Sequence, residues 1–383
     1  MSEAPIVIVG GGLAGALAAQ TLREENFGGP VVLITREDRL PYERPPLSKA
    51  FLVEGINFEN ARANDEAFYK EHDIDLRTAV EATALDSAAH RLTLSTGEQL
   101  QYGKLLIATG ADPVRPPIPG ADGEAVHLLR TVDDSARLRE AITGGGRIVI
   151  VGAGWIGSEV AASARTLGAD VTVVEQAALP LERILGERLG AFFADLHRSH
   201  GVDLRLSNGV SAIEHGGRRV VLADGSAVDA AAVLLAVGAR PAVALAQSGG
   251  LEVDNGVLAD ELLRTSAEDV WVAGDSANAM HPRYGRLRVE HWDNAREQGV
   301  AAARSMLGKG EPYARIPYFF SDQYDLGLEY FGRHDPADEL TIEGDIEAAL
   351  FRAIWRDSGG TVTAAMHVND WDAGDELRAL VEG

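Results

Sequence analysis

The chain of 383 residues contains no cysteine. Disulfides, thiolate metal sites and dithiol redox pairs are therefore excluded as parts of this protein. Long apolar runs are also missing, since no stretch approaches the ~18 residues that a membrane-spanning helix needs. Only Met1 to Pro5 precede the first predicted strand, which leaves no room for a secretory signal, so a cytoplasmic location is expected.

Basic residues are scarce relative to acidic ones. The chain has 35 Lys and Arg against 58 Asp and Glu, a net charge of −23 and a sequence pI of about 4.8. This balance argues against non-specific binding to nucleic acid or to anionic membranes. The 46% hydrophobic and 24% charged content is ordinary for a folded globular protein, and the length allows two or three domains.

Glycine-rich motifs of one pattern, G-x-G-x-x-G, occur twice, each after an apolar strand and before a helix. The first glycine permits a tight turn, the second lets backbone approach a pyrophosphate, and the third lets helix pack on strand. The phosphates then lie at a helix N-terminus, which favours anions. Two such motifs predict two bound dinucleotides with electron transfer between them. The predicted phosphate-binding residues are Gly10, Gly12, Leu13, Ala14 and Gly15, then Gly152, Gly154, Trp155, Ile156 and Gly157.

An internal duplication extends beyond these motifs. A hairpin signal at 92–97 and a strand at 105–110 recur 128 residues later, at 220–225 and 233–238. The glycine motifs lie 142 residues apart, and the stretch 41–55 accounts for the longer first copy. The duplication predicts an α/β fold of two doubly wound, Rossmann-like domains, and the segment from about 316 predicts a small α+β domain that ends in a helix at 373–381.

Acidic residues follow strands at two places where ligands of parallel sheets bind. Glu175 stands 18 residues past the last glycine of the second motif, close to the ~20 at which a carboxylate accepts hydrogen bonds from an adenosine ribose. A 2′-phosphate would be repelled there, so NADH is predicted over NADPH. Asp275 ends the strand 270–274, where a carboxylate can reach a ligand. In the first copy, Thr35, Arg36 and Glu37 all stay open as the ribose partner.

A rigid, proline-containing loop from Leu40 to Lys49 predicts a turn into a short helix. This loop resembles the flavin loop of the FAD-dependent NADH:ferredoxin reductases of bacterial oxygenase systems. Further matches to the family span nearly the whole chain. They are 105–110, 129–131, 152–157 with Glu159, Gly274 with Asp275, 289–295 and 320–323.

The resemblance implies a glutathione-reductase-like arrangement. The FAD domain would be split between 1–110 and 242–315, the NADH domain would occupy 111–241, and the C-terminal α+β domain would cover 316–383.

The resemblance also implies residue roles. Glu159 would lie beside the nicotinamide and pair with Lys49, and Glu290 would line the same pocket, so these three residues are the candidate catalytic groups. The backbone of Val80 would lie by the adenine. Together with Glu175, the remaining predicted cofactor contacts are Glu37, Arg44, Ala108, Thr109, Gly110, Arg130, Gly238, Gly274, Asp275, His291, Trp292 and Phe320.

Two positions depart from the family pattern. Family members often carry an acid where Arg36 stands, so the ribose of FAD would be bound by Glu37 or through water. Many carry tryptophan where Phe320 stands. Phenylalanine keeps the stacking face but lacks the indole N–H, which would alter electron transfer.

The predicted function is hydride transfer from NADH to FAD, followed by single-electron transfer to a 2Fe–2S ferredoxin of an oxygenase or cytochrome P450 system. Alternatives are an NADH-dependent rubredoxin, quinone or oxygen reductase and an NADH-sensing interaction protein like apoptosis-inducing factor. No metal site is expected.

Ferredoxins are mostly acidic, and segment 316–383 carries 4 basic and 15 acidic residues. Segment 281–315 carries 7 basic and 4 acidic residues. Docking is therefore predicted near the basic strip of Arg283, Arg286, Arg288 and Arg296.

Overall fold

The computed structural model describes residues 4–383. The strands are β1 (Ile6–Val9), β2 (Val31–Ile34), β3 (Ile74–Arg77), β4 (Ala82–Asp86), β5 (Arg91–Leu94), β6 (Gln99–Gln101), β7 (Lys104–Ile107), β8 (Ala111–Pro113), β9 (Val126–His127), β10 (Arg147–Val151), β11 (Asp170–Val174), β12 (Asp203–Arg205), β13 (Val210–Glu214), β14 (Arg219–Leu222), β15 (Ala227–Asp229), β16 (Ala232–Leu235), β17 (Ala239–Pro241), β18 (Val257–Ala259), β19 (Val270–Val272), β20 (Ala277–His281), β21 (Gly285–Leu287), β22 (Tyr318–Gln323), β23 (Leu326–Gly332), β24 (Glu339–Asp345), β25 (Leu350–Arg356) and β26 (Val362–Val368).

The α-helices are α1 (Leu13–Glu24), α2 (Ala50–Val53), α3 (Phe58–Ala61), α4 (Glu66–Glu71), α5 (Val132–Thr143), α6 (Trp155–Thr166), α7 (Glu182–Ser199), α8 (Ala244–Ser248), α9 (Trp292–Met306) and α10 (Gly374–Glu382). Short 3-10 helices cover Pro45–Ser48, Gly274–Ser276 and Trp371–Ala373. Within the described residues, no helix combines the length and apolar character that crossing a membrane requires.

The chain divides into two compact units. Unit 1 comprises residues 1–43, 58–112 and 240–317, and unit 2 comprises 44–57, 113–239 and 318–383. The predicted boundaries of FAD, NADH and C-terminal domains remain a proposal.

Unit 1 is built on a five-stranded parallel sheet of order β19-β7-β1-β2-β3. Its central strands are buried on both faces, as the continuous apolar runs predict for a parallel sheet covered on both sides. Helices α1 and α9 pack against one another. The three-stranded antiparallel sheet β4-β5-β6 is the hairpin insertion that the sequence predicts.

Unit 2 repeats this plan with a parallel sheet of order β12-β11-β10-β16-β9 and an antiparallel sheet β13-β14-β15. It also contains a five-stranded antiparallel sheet of order β22-β23-β26-β25-β24, on which α10 packs. The predicted α/β class, the doubled parallel sheets and the α+β segment with a terminal helix are all confirmed.

Helix α7 packs against the antiparallel sheet of unit 2. Its buried Leu185, Leu189 and Phe193 belong to the same core cluster as Phe351 and Trp355 of β25. The helix is interrupted at Gly186, whose φ of +80° is not helical.

His197 near the end of α7 is 1% exposed, and burial lowers its pKa to about 4. An unfolded histidine titrates near 6.5, so between the two values the unfolded chain binds a proton that the folded chain does not. Stability therefore falls as pH drops from about 6.5 to about 4, by on the order of 3 kcal/mol from this residue.

We expect His197→Gln to remove that part of the pH dependence in urea unfolding. The exposed His215→Gln is the control, and equal pH slopes in wild type and His197→Gln would contradict the prediction.

Candidate functional site

The first glycine motif of unit 1 lies between β1 and α1. A Cβ on Gly10 would lie 2.0 Å from the Ala108 carbonyl oxygen, and one on Gly15 would lie 2.0 Å from the Gly10 carbonyl oxygen. A Cβ on Gly12 would meet no atom within 4 Å. Gly12 caps the helix without a side-chain hydrogen bond, and the first turn has no acid. The helix N-terminus therefore faces open space that suits an anionic phosphate.

The second motif, between β10 and α6 of unit 2, has the same construction. A Cβ on Gly152 would lie 2.4 Å from the Ala236 carbonyl oxygen, and one on Gly157 would lie 2.0 Å from the Gly152 carbonyl oxygen. Gly154 again faces open space and caps its helix with no side-chain hydrogen bond. Each unit thus carries a cradle whose shape fits a pyrophosphate.

Glu175 follows β11 directly, and its carboxylate is held by backbone. Its Oε2 accepts a hydrogen bond from the Ala153 N–H in the glycine loop at 2.7 Å. Its Oε1 accepts one from the Ala177 N–H at 2.8 Å. The carboxylate is thereby fixed at the rim of the phosphate cradle, which is where a ribose of a dinucleotide bound to this loop would be recognised.

The equivalent position in unit 1 is Thr35. Strands β2 and β11 end at Ile34 and Val174, whose carbonyls accept the N–H of the first glycine of each motif at 2.9 and 2.8 Å. The next residue is Thr35 in one unit and Glu175 in the other. Thr35 is buried, and its Oγ1 lies 2.4 Å from where a Cβ on Gly11 would be.

The two neighbours of Thr35 both have partners within unit 1. The Arg36 guanidinium forms an ion pair with Asp112 at 2.6 Å, and both side chains are about half exposed. The Glu37 carboxylate accepts a hydrogen bond from the Tyr42 hydroxyl at 2.6 Å. Neither contact decides among the three candidates for the ribose partner, which therefore stay open.

In unit 2 the predicted catalytic residues Lys49 and Glu159 lie together, around a buried carboxylate. Glu159 on α6 is 6% exposed, and its Oε1 lies 3.1 Å from the Lys49 ammonium. The Ser48 hydroxyl donates to Oε2 at 2.5 Å, and the Ser321 hydroxyl donates to Oε1 at 2.8 Å. We call these four residues the Glu159 cluster. The predicted pairing of Lys49 with Glu159 is present.

The ammonium of Lys49 has two further neighbours on β22. It lies 3.9 Å from an Asp322 carboxylate oxygen and 4.8 Å from the centre of the Phe320 ring. A cation over an aromatic face is stabilised by the ring quadrupole. Ser48 was missed as a functional candidate although it precedes Lys49 in the loop, and Ser321 and Asp322 were missed although they follow Phe320.

The predicted residues Arg44 and Arg130 also lie in unit 2. The Arg44 guanidinium donates to the Arg130 carbonyl. The Arg130 N–H donates to Asp134, the carboxylate that completes a capping box with Thr131 at the start of α5. These contacts fix the backbone at Arg130 just before the start of the helix.

Gly274 and Asp275 form a 3-10 turn after β19 in unit 1. The Gly274 N–H donates to the buried Gln298 side chain at 2.9 Å, and its φ is +75°. The Arg288 guanidinium donates to the Asp275 carbonyl at 3.2 Å. These contacts hold the turn through its backbone.

The run before α9 carries three predicted residues. Glu290 accepts a hydrogen bond from Arg288. The His291 side chain caps the helix by accepting from the Asp293 N–H, and Trp292 is its first residue. The Arg296 guanidinium lies 5.5 Å from the Trp292 ring centre.

The remaining predicted residues lie where loops leave the sheets. The Val80 N–H donates to the Thr35 carbonyl at 3.0 Å, and the Thr109 hydroxyl donates to the Ala242 carbonyl at 2.7 Å. Gly110 and Gly238 have φ values of +72° and +110°, which favour glycine. Across residues 4–383, no group of three or more His, Asp or Glu is arranged to hold a metal ion.

Comparison with protein families gives two matches. Residues 4–299 match the family described as pyridine nucleotide-disulphide oxidoreductase, and residues 318–383 match the family described as reductase C-terminal. The chain belongs to the pyridine nucleotide-disulphide oxidoreductase family. Since it has no cysteine, it is a member of that family without a redox disulphide of its own.

Similar members of this family are reductases with named partners. The chain is 37% identical to the anthranilate 1,2-dioxygenase system ferredoxin–NAD(+) reductase component of Burkholderia cepacia, covering 100% of this chain and 95% of that protein. It is 37% identical to rhodocoxin reductase of Rhodococcus erythropolis, covering 90% of this chain and 82% of that protein. Putidaredoxin reductase, solved as a covalent complex with putidaredoxin, matches with a TM-score of 0.95 at 31% identity, covering 100% of this chain and 94% of that one. The predicted family of ferredoxin reductases is confirmed.

Two glycines of the second motif allow binding to be separated from folding. Gly154→Ala adds a methyl group to open space and should leave thermal stability unchanged while weakening binding of NADH by about tenfold or more. Gly157→Ala forces a Cβ to within 2.0 Å of a backbone carbonyl and should destabilise the fold by on the order of 1–3 kcal/mol. Thermal unfolding and calorimetric titration measure both effects. Equal losses of stability in the two variants would contradict this assignment.

Proposed function

We propose that this protein binds FAD and NADH and passes electrons from NADH through FAD to a 2Fe–2S ferredoxin of an oxygenase or cytochrome P450 system. The observation that carries the proposal is the pair of glycine cradles, one per unit, each with an uncapped helix N-terminus in front of open space. The similarity over the full chain to a ferredoxin–NAD(+) reductase component supports it.

FAD is assigned to the first motif, in unit 1. The fit rests on the open cradle at Gly12 and on the turn that presents Asp275. The cradle would hold the pyrophosphate, and the Asp275 carboxylate would accept hydrogen bonds from the ribityl chain. Bound FAD would supply the conversion between two-electron and one-electron transfer, which no side chain of this cysteine-free protein can provide.

NADH is assigned to the second motif, in unit 2. Glu175 is held at the rim of the cradle by two backbone N–H groups. A 2′-phosphate about 4 Å from this carboxylate would be repelled by about 4 kcal/mol at an effective dielectric constant of ~20. Since each ~1.4 kcal/mol is tenfold, NADH should be strongly preferred to NADPH.

Lys49, Glu159 and Glu290 are proposed as the residues closest to the chemistry. In unit 2 the Glu159 cluster holds the Lys49 ammonium in a fixed place, where a cation stabilises negative charge on a nearby ligand. Glu290 is proposed to line the nicotinamide pocket. A cytoplasmic location stays a prediction from the sequence.

The purified protein should contain FAD, and NADH should bleach its visible absorbance anaerobically much faster than NADPH does. Addition of a 2Fe–2S ferredoxin should then give NADH-driven reduction of a cytochrome that depends on the ferredoxin. A protein that takes up no flavin would refute the proposal.

Reduction of quinone, oxygen or rubredoxin but not ferredoxin would instead assign one of the other acceptors. Slow turnover with every acceptor, together with NADH-dependent oligomerisation, would assign a sensing role.

The basic strip proposed for ferredoxin docking, Arg283 to Arg296, has two different parts. Arg286 donates to the carbonyls of Ala259 and Asn278 at 3.3 and 2.9 Å. The Arg288 side chain is 13% exposed and pairs with Glu290. Both arginines are therefore used within unit 1. Arg283 and Arg296 are exposed, although Arg296 forms a 3.5 Å ion pair with its neighbour Glu297, and these two are proposed as the part of the strip that meets an acidic partner.

Reversing charge in the double variant Arg283→Glu and Arg296→Glu should slow association with an acidic ferredoxin by about tenfold at low salt and much less at high salt. Stopped-flow kinetics over a salt series measure this. The control reverses the exposed Arg188 and Arg333 of unit 2, and its flavin content should match the test variant. An unchanged association rate at low salt would place docking elsewhere.

A further inference from the structure

The hydroxyl of Ser321 is one of the donors that hold the Glu159 carboxylate, and it is completely buried on β22. It shares the acceptor oxygen Oε1 with the Lys49 ammonium. Because a hydroxyl has one hydrogen, donating to Glu159 requires that the Ser321 oxygen act as an acceptor toward any other partner.

That other partner is Gln323, two residues further along the same strand. Its amide Nε2 donates to the Ser321 oxygen at 3.4 Å, and its side chain is also completely buried. A donor at this position leaves the serine hydrogen free to point at Glu159. The amide of Gln323 therefore selects the orientation of the hydroxyl that serves the carboxylate.

The end of β22 is anchored to α7 by aromatic and histidine side chains. The Tyr324 hydroxyl lies 3.0 Å from His197 Nδ1, and the Tyr324 ring stacks on His200 with centres 3.6 Å apart. Tyr324 lies in the two-residue turn between β22 and β23 and has a φ of +59°, a backbone conformation that is uncommon for a tyrosine. The anchor thus sets where Gln323 and Ser321 lie along the strand.

We propose that Ser321 and Gln323 are positioning residues that orient the Glu159 carboxylate toward Lys49, in the hydrogen-bonded order Gln323, Ser321, Glu159, Lys49. All four residues belong to unit 2. This inference extends the proposed function, and it rests on that function for the role of Lys49 near the chemistry. The contacts themselves concern this chain alone and are open to a test that needs no cofactor.

Because the chain has few lysines, the chemical reactivity of Lys49 can be measured separately and reports how firmly its ammonium is held. The four lysines are Lys49, Lys70, Lys104 and Lys309. A brief pulse of an amine-acylating reagent, followed by mass spectrometry of peptides, gives the labelling of Lys49 relative to Lys70 and Lys309 in unit 1. An ammonium held against a carboxylate reacts slowly, so freeing it raises the ratio.

Glu159→Gln should raise Lys49 labelling by about tenfold. Ser321→Ala should raise it by about threefold, which corresponds to about 0.6 kcal/mol. In the Glu159→Gln background, Ser321→Ala should add nothing, because the serine acts only through the carboxylate. The matched control is Ser158→Ala, which lies next to Glu159, is equally buried and has a hydroxyl with no hydrogen-bond partner among residues 4–383.

Wild-type labelling of Lys49 in Ser321→Ala, a fall in labelling, or effects that add in the double variant would each overturn the proposal. If Ser321→Ala does not fold, Gln323→Met takes its place, with an expected increase of about twofold. No increase there overturns it as well. Labelling is measured without and with added FAD. The labelling without FAD tests this inference alone, whereas bleaching of the flavin by NADH tests the proposed function. Failure of the bleaching would therefore leave the labelling pattern without FAD unchanged.

Discussion

A buried carboxylate persists only where donors surround it, and in unit 2 that condition applies to Glu159. Its side chain is 7% exposed, and its donors come from positions 111 and 162 residues away as well as from Lys49. Removing the partners of a buried charge costs several kcal/mol. The path of segment 44–57 and the placement of β22 are therefore both tied to one side chain on α6, directly beyond the second glycine motif.

The two glycine cradles are nearly identical in backbone geometry and differ in the residue that follows the second strand. Glu175 uses both carboxylate oxygens to accept backbone N–H groups, so its charge stays at the cradle rim. Thr35 at the matching position is buried, and the neighbouring Arg36 is neutralised by Asp112. The duplicated scaffold thus places a carboxylate directly after the second strand in one unit and a buried threonine at the same position in the other.

The fold and the glycine cradles could be predicted from the sequence because they depend on local features. Apolar strand runs, glycines at fixed spacing and a proline-fixed loop act over a few residues, and the terminal helix predicted at 373–381 is observed at Gly374–Glu382. The Glu159 cluster is different. The pairing of Lys49 with Glu159 was available only through family resemblance, and no local pattern links Ser48 or Ser321 to a carboxylate more than a hundred residues away.

A count of charges along the sequence also does not show which arginines are available to a partner. The arginines of segment 281–315 are equivalent in a charge count, yet Arg286 donates to carbonyls and Arg315 forms a bidentate pair with the buried Asp293 at 2.6 Å. A guanidinium that satisfies internal acceptors stabilises its own unit and cannot meet a partner without leaving them unpaired. Only burial and hydrogen bonding show which arginines remain for a partner.

The geometry of the Glu159 cluster matters because the chain has no cysteine. A member of a disulphide oxidoreductase family that has no thiols cannot store an electron pair on its own side chains. Lys49 is the lysine that the structure pairs with a buried carboxylate, and it is therefore a fixed charge that could act on a bound redox group. A second carboxylate, that of Asp322, lies 3.9 Å from the same ammonium, so the local field depends on how these three charges are placed. The hydroxyls of Ser48 and Ser321 both donate to the Glu159 carboxylate, so they fix the position of the negative charge that faces Lys49.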